Sequence, residues 1–176
     1  ADPAAAQRTY KSGFAAFDLT AIGGRYVAPL SPTLILGLAA PGGNATLEFN
    51  EGGISVRNNG FPAAPAPNIG VSVDALNKVT VSPGTTTTFV NSANVAKLGK
   101  FNGKFVLTDD NPRTTLPVTP PVVTRSVNYE GIIIRQGNEW VGYGYFLLPA
   151  LPSNSPLTTT TTSPILSGQV VFEKQP

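Results

Sequence analysis

Ten carboxylates, the lysines, and the hydroxyls of serine, threonine and tyrosine are what this 176-residue chain offers for chemistry, because His, Cys and Met are each absent. Their absence removes every scheme that uses a histidine base, a thiol nucleophile, a disulfide, or an imidazole or thiolate metal ligand. A hydrolase built from the remainder needs paired carboxylates, a Ser-Lys dyad or a metal held by oxygens. Gly-x-Ser-x-Gly, P-loop, Gly-x-Gly-x-x-Gly and EF-hand patterns do not occur. Asp109-Asp110-Asn111 clusters the oxygens that a hard cation such as Ca²⁺ favours, but without the alternation of a calcium loop it reads first as a turn after a strand. Glu130 and Glu139 fall on two strands expected to pair, which would bring these surface acids near each other. No catalytic residue, metal or cofactor is expected.

Binding has more candidates. Trp140, Tyr143 and Tyr145 could stack on a glycan or a small apolar ligand, although aromatics on a strand more often belong to a core or a plain sheet surface. Charged residues make up only 12% of the chain with a net charge of +2, and the basic residues are scattered singly from Arg8 to Lys174. Nucleic acid needs a concentrated basic stripe, so it is not an expected partner. The longest apolar runs, 34–40 and 146–151, are strand-sized, and membrane insertion is not expected. The opening Ala-Asp-Pro-Ala-Ala-Ala resembles a mature start just after a signal-peptidase cut, though a cloning remnant would look similar. With low charge, no Cys and much Thr, Gly, Asn and Pro, the chain reads as secreted or cell-surface. Asn44-Ala-Thr46 is one glycosylation sequon, a motif that chance alone supplies.

The elements that must carry these residues are strands. The 18 Gly and 17 Pro are far more than helices tolerate, and apolar stretches of strand length recur between Gly, Pro, Asn and Asp breaks. The candidates are 10–19, 25–28, 33–39, 45–49, 54–57, 71–73, 78–81, 101–108, 125–134, 139–148 and 165–172. Asn50-Glu51-Gly52-Gly53 predicts a hairpin between 45–49 and 54–57, and Gln136-Gly137-Asn138 another between 125–134 and 139–148. One short helix is expected over 92–98, with Ser92 as cap and Gly99 as stop. Proline-rich stretches 61–68 and 111–121 read as stiff surface connections, with polyproline recognition as an alternative use. Threonine runs 85–88 and 158–162 read as exposed β structure or linker, with an O-glycosylated stalk as the alternative. The expected fold is all-β: one domain over 1–176, a single antiparallel meander forming a strongly curved sheet, barrel or sandwich, with residues 1–9 as an extended tail.

A recurrent glycine is the most informative pattern. Phe101-x-Gly103-x-Phe105, Tyr129-x-Gly131-x-Ile133, Leu166-x-Gly168-x-Val170 and Trp140-x-Gly142-x-Gly144-x-Phe146 each put Gly on the face of large residues. Gly inside a strand costs about 0.5–1 kcal/mol, so a shared geometric cause is implied: a sharp curl, aromatics lying over the missing side chains, or a groove that admits a ligand. The other face of the last strand, Val141, Tyr143, Tyr145 and Leu147, is apolar too, so both faces are expected to be covered.

The run Gly142-Tyr-Gly-Tyr-Phe-Leu-Leu-Pro149, then Thr162-Ser-Pro-Ile-Leu-Ser-Gly168 and a closing strand, resembles the C-terminal β-module of large secreted, multi-domain surface proteins of environmental bacteria. Its Phe-x-Gly-x-Phe, Arg-x-Val-x-Tyr/Phe-x-Gly and Gly-Tyr-Phe-Leu strands match 101–105, 125–131 and 144–147, so the resemblance covers about residues 99–172. It implies a surface location and a β-meander, and it transfers no catalytic residue.

Two functions are therefore expected. The first is a non-enzymatic structural protein whose copies associate through β-strands or strand exchange into a layer or filament. Uncharged strands carry this reading, because sheet edges are normally guarded by charge. Its contact candidates are Tyr10, Phe14 and Phe17 in the N-terminal stretch, Leu34 and Leu36 in the uncharged run, and Ile165, Val170 and Phe172 in the closing strand. The second is a secreted module that binds a glycan or small ligand through Trp140, Tyr143 and Tyr145.

Overall fold

The computed structural model describes residues 16, 21, 23–54, 68–90, 92–113, 121–154 and 156–175. They form one antiparallel sheet of eight strands: β1 (Gly42–Glu51), β2 (Asn68–Val73), β3 (Val79–Val81), β4 (Thr88–Val90), β5 (Lys100–Asp110), β6 (Val122–Gln136), β7 (Glu139–Pro149) and β8 (Ile165–Lys174). The order β3-β2-β1-β8-β7-β6-β5-β4 makes two meanders, joined where β1 pairs with β8. The outermost strands, β3 and β4, come together, so the sheet curls into a nearly closed barrel. The helix α1 (Ser92–Leu98) crosses from β4 to β5 as the sequence predicts, and Gly99 at φ 65° ends it, its N–H donating to the Val95 carbonyl at 2.8 Å.

Alternation fills the barrel. Phe49, Phe101, Phe105, Tyr129, Phe146 and Phe172 all point inward and are buried. Phe49 meets Phe105 and Tyr129 edge-on at 5.0 and 5.2 Å, and Phe105 meets Phe146 at 5.3 Å. The glycines make room for these rings: a Cβ at Gly168 would fall inside the Phe146 ring, one at Gly131 would strike Phe101, and one at Gly142 would lie 2.8 Å from Phe101 and 2.9 Å from Phe172. Of the three expected causes two operate on the inner face: aromatics over missing side chains at Gly168, Gly131 and Gly142, and close backbone approach in the curled sheet at Gly144, where a Cβ would strike the Glu130 backbone.

Tyr129 is the largest of these buried side chains, and its hydroxyl donates to the Thr88 carbonyl at 2.9 Å in the space Gly103 leaves open. Burial pushes this phenol far above the ordinary value of 10.0. A raised folded pKa means that the folded state keeps a proton the unfolded chain releases, so the contribution is complete below pH 10 and is lost as pH rises beyond it. Stability should fall above pH 10 by about 1.4 kcal/mol per pH unit for this group. Urea titrations from pH 8 to 12 should show that slope and Tyr129→Phe should lose one proton's worth of it; an unchanged slope would refute the assignment.

Several expectations are corrected. Residues 33–39 are no strand: Ile35–Gly37 is a 3-10 turn, with Leu36 and Gly37 at φ 60° and 66°, and Leu34, Ile35 and Leu36 are buried against β7 and β8. Asn77 holds it by accepting from Ile35 N–H at 2.6 Å and donating to Thr33 O at 3.3 Å. The uncharged run is a plug of the core. Residues 25–28 have no strand partner, and Tyr26 instead caps the helix end, donating to Ala96 O at 2.7 Å. Both edges of β1 are taken from Ala45 to Glu48, by β2 and β8, and residues 55–57 of the expected hairpin at 50–53 lie outside the described ones. So do Tyr10, Phe14, Phe17 and most of the proline-rich stretches, although Asn111 N–H to Pro121 O at 2.9 Å closes the neck of the second.

The threonine runs are used locally. Thr86 and Thr88 hydroxyls donate to carbonyls of β5, Val106 at 2.6 Å and Lys104 at 3.3 Å, which blocks part of that edge. Thr159 N–H donates to the Thr162 hydroxyl at 2.8 Å in a tight turn rather than an extended linker. Asn44 of the sequon also has its amide nitrogen engaged, donating to Ala40 O at 2.5 Å.

Candidate functional site

Every second residue of β5 to β8 faces outward, and on that face the chain keeps side chains that the barrel does not use. β7 is central, between β6 and β8, yet its outer face is open, contrary to the expectation that both faces are covered: Tyr145 is 51% and Leu147 44% exposed, and Ile132 beside them on β6 is 50%. Strand register sets Asn102 opposite Glu130, Glu130 opposite Tyr145, and Tyr145 opposite Gln169. At about 4.8 Å per strand this is a row of amide, carboxylate, phenol and amide about 14 Å long.

Two concavities meet on this row. One, of about 700 Å³, extends from Asn102, Glu130 and Tyr145 to Asn128, Leu147 and Pro149. The other, of about 410 Å³, shares Asn102, Glu130 and Tyr145 and continues to Ile132 and Tyr143. Along β7 the pair reaches from Tyr143 to Pro149, about 20 Å of strand. The Tyr145 hydroxyl donates to Glu130 Oε1 at 2.5 Å; that hydrogen bond and the carboxylate's charge raise the phenol's pKa, so the pair is a neutral phenol on a carboxylate acceptor. Tyr143 donates to Gln136 Oε1 at 2.6 Å, which fixes its ring against the sheet. The result is a shallow trough with flat rings on its floor and hydrogen-bonding groups in line with them.

Of the three aromatics expected to act together, Tyr143 and Tyr145 share this trough and Trp140 does not. Trp140 has the opposite parity, is half-buried, and meets Tyr26 edge-on at 6.0 Å near the 3-10 turn. Among the described residues the association candidates are mostly inward: Leu34, Leu36, Val170 and Phe172 are core residues, and Ile165 is partly exposed at the start of β8. Asn102, Asn128 and Gln169 do not stand out in the sequence; their only signal is outward parity on strands whose inward positions carry the aromatics.

The acidic groups are dispersed. Asp109 and Asp110 are the last residues of β5 rather than a turn, and the Asp109 carboxylate is buried on Arg125 at 2.7 Å. Glu130 and Glu139 lie six positions apart in the β6–β7 register, about 20 Å, and Glu139 pairs with Lys174 at 2.6 Å. Among the described residues no group of three His, Cys, Asp or Glu gathers that could hold a metal, and no helix is long and apolar enough to cross a membrane. Searches of protein-family models, of curated proteins and of solved structures found no match to this chain.

Proposed function

We propose that the chain is a non-enzymatic module of the cell exterior that binds an extended glycan in the trough across β5, β6 and β7. The observation that carries the reading is the exposed Tyr145 ring set in line with Glu130, Asn102 and Gln169. A sugar ring has an apolar C–H face and a rim of hydroxyls. A half-exposed phenol takes the face by dispersion and area burial, while amides and a carboxylate take the rim. The trough's length suits several sugar units, and Lys100 and Lys104 add hydrogen-bond donors to its lining. The composition and the resemblance to secreted surface proteins support the location.

Self-association into a layer or filament by strand exchange draws less support, because two of its candidate segments are the buried plug and a central strand, the third, with Tyr10, Phe14 and Phe17, lies outside the described residues, and the β5 edge is partly capped by threonine. The trough floor keeps one observation in its favour, since Ile132 and Leu147 are exposed apolar groups that a second copy could cover.

Affinity electrophoresis in gels holding xylan, mixed-linkage glucan or galactomannan tests the reading. At least one polysaccharide should retard the protein, and Tyr145→Ala should weaken that binding at least about tenfold with little change in Tm, since loss of an aromatic anchor costs about 2 kcal/mol. Tyr145→Phe, which keeps the ring, should retain most of it. Binding that survives Tyr145→Ala would sink the assignment; a dimer in sedimentation that Tyr145→Ala makes monomeric would move this face to self-association.

A further inference from the structure

Arg113 lies just past β5, its backbone N–H held by Asn111 Oδ1 at 3.2 Å. Its side chain lines a cavity of about 230 Å³ together with Asn111, Thr124, Pro152, Thr159 and Thr160. The Arg113 Nε is shut off from solvent and has no hydrogen-bond partner, and neither of the two ion pairs among the described residues includes this side chain. Arg125 also leaves its Nε without a partner, but its other two nitrogens meet a counter-charge on Asp109 and the Pro149 carbonyl, both at 2.7 Å, and no such counter-charge meets Arg113 among the described residues. Arg113 is only partly buried, but its Nε is shut off from water without a partner, so a group from outside that supplies the charge gains more here than at a fully open surface. The guanidinium offers a planar fork of donors, and Thr124, Thr159 and Thr160 line the same cavity.

We propose that this cavity is an oxyanion site in which Arg113 grips a carboxylate or sulfate group. Its place gives the source. Thr124 faces outward on β6 two residues before Ser126, which lines the larger trough concavity, so the cavity lies at the trough's end. An acidic substituent of a polymer in the trough would reach it. That part rests on the glycan reading, whereas the anion site itself does not.

Isothermal titration separates the two. Sodium sulfate and sodium acetate, each at constant ionic strength against chloride, are titrated into wild type, Arg113→Gln and Arg113→Lys; polygalacturonate and a sulfated galactan are compared with neutral galactomannan. Saturable binding of a free or polymer-borne oxyanion is expected, at least tenfold weaker in Arg113→Gln and weakened in Arg113→Lys, which keeps the charge but loses the fork. Arg113→Gln should leave Tm without anion unchanged or higher, unlike removal of a structural arginine. A free anion that binds while Tyr145→Ala has no effect on any polysaccharide keeps the site and ends the glycan reading. Binding by acidic polymers alone assigns the anion to the polymer. No saturable binding of either, or equal binding by Arg113→Gln, overturns the proposal.

Discussion

Replacing Asp109 by Ala should cost about 3–5 kcal/mol, the largest loss expected from removing any one charge among the described residues. Only 6% of the Asp109 side chain and 2% of the Arg125 side chain are exposed, and the two meet at 2.7 Å between neighbouring strands near the end of the barrel. Removing the acid leaves a guanidinium that cannot lose its proton, held by the Pro149 carbonyl at 2.7 Å and with its Nε already lacking a partner. The pair does not have to be a net stabiliser for this to hold, since two desolvated ions repay one another and one alone repays nothing. The double change Asp109→Ala with Arg125→Met should therefore recover most of the loss. Urea unfolding of wild type, the single variant and the double variant measures both effects. A single-variant loss below about 1 kcal/mol, the range of an exposed pair, would show that water reaches the site.

The fold is legible where sequence and burial follow the same period. β5 and β6 alternate inward large apolar or Gly with outward polar residues along most of their length, and β7, apolar on both faces, follows β6 through the turn at Gly137, so these strands and their hairpin can be read. The run at 34–38 is not, because a buried strand and a buried plug have the same hydropathy, and only the positive φ of Leu36 and Gly37 separates them. β1 misleads for a different reason. A good turn at 50–53 predicts a hairpin, but β1 pairs with β2, which begins at Asn68, on one edge and with β8, over a hundred residues away, on the other. The trough is half legible: Tyr143 and Tyr145 stand out by type, whereas Trp140 shares that type and is separated from them by its odd-even parity. Asn102, Glu130 and Gln169 become neighbours only through register across four strands, which no single segment encodes.

The glycine row permits the sharpest reversal of an ordinary rule. Gly to Ala inside a strand normally gains about 0.5–1 kcal/mol, because the unfolded chain loses freedom and the strand gains a side chain. Gly168→Ala should instead lose about 3 kcal/mol, near the top of the range for overpacking, or about 6–12 °C in Tm for a chain of this size. The reason is geometric. A Cβ at Gly168 would enter the Phe146 ring, and that ring cannot withdraw: Gly52 lies close enough that its own Cβ would come 2.5 Å from the ring, Phe105 stands edge-on at 5.3 Å, and Phe49 is at 6.1 Å. Nor can the backbone give, since β8 is held by β7 on one side and β1 on the other. Gly43 is the control, because nothing lies within 4 Å of a Cβ there, and Gly43→Ala should be neutral or slightly stabilising. The decisive variant combines Gly168→Ala with Phe146→Leu. If the ring is the obstacle, the double variant loses clearly less than the sum of the single losses, because the branched side chain vacates the space the methyl needs. Additive losses would mean that the glycine serves the backbone and that the aromatic lies over it without depending on it.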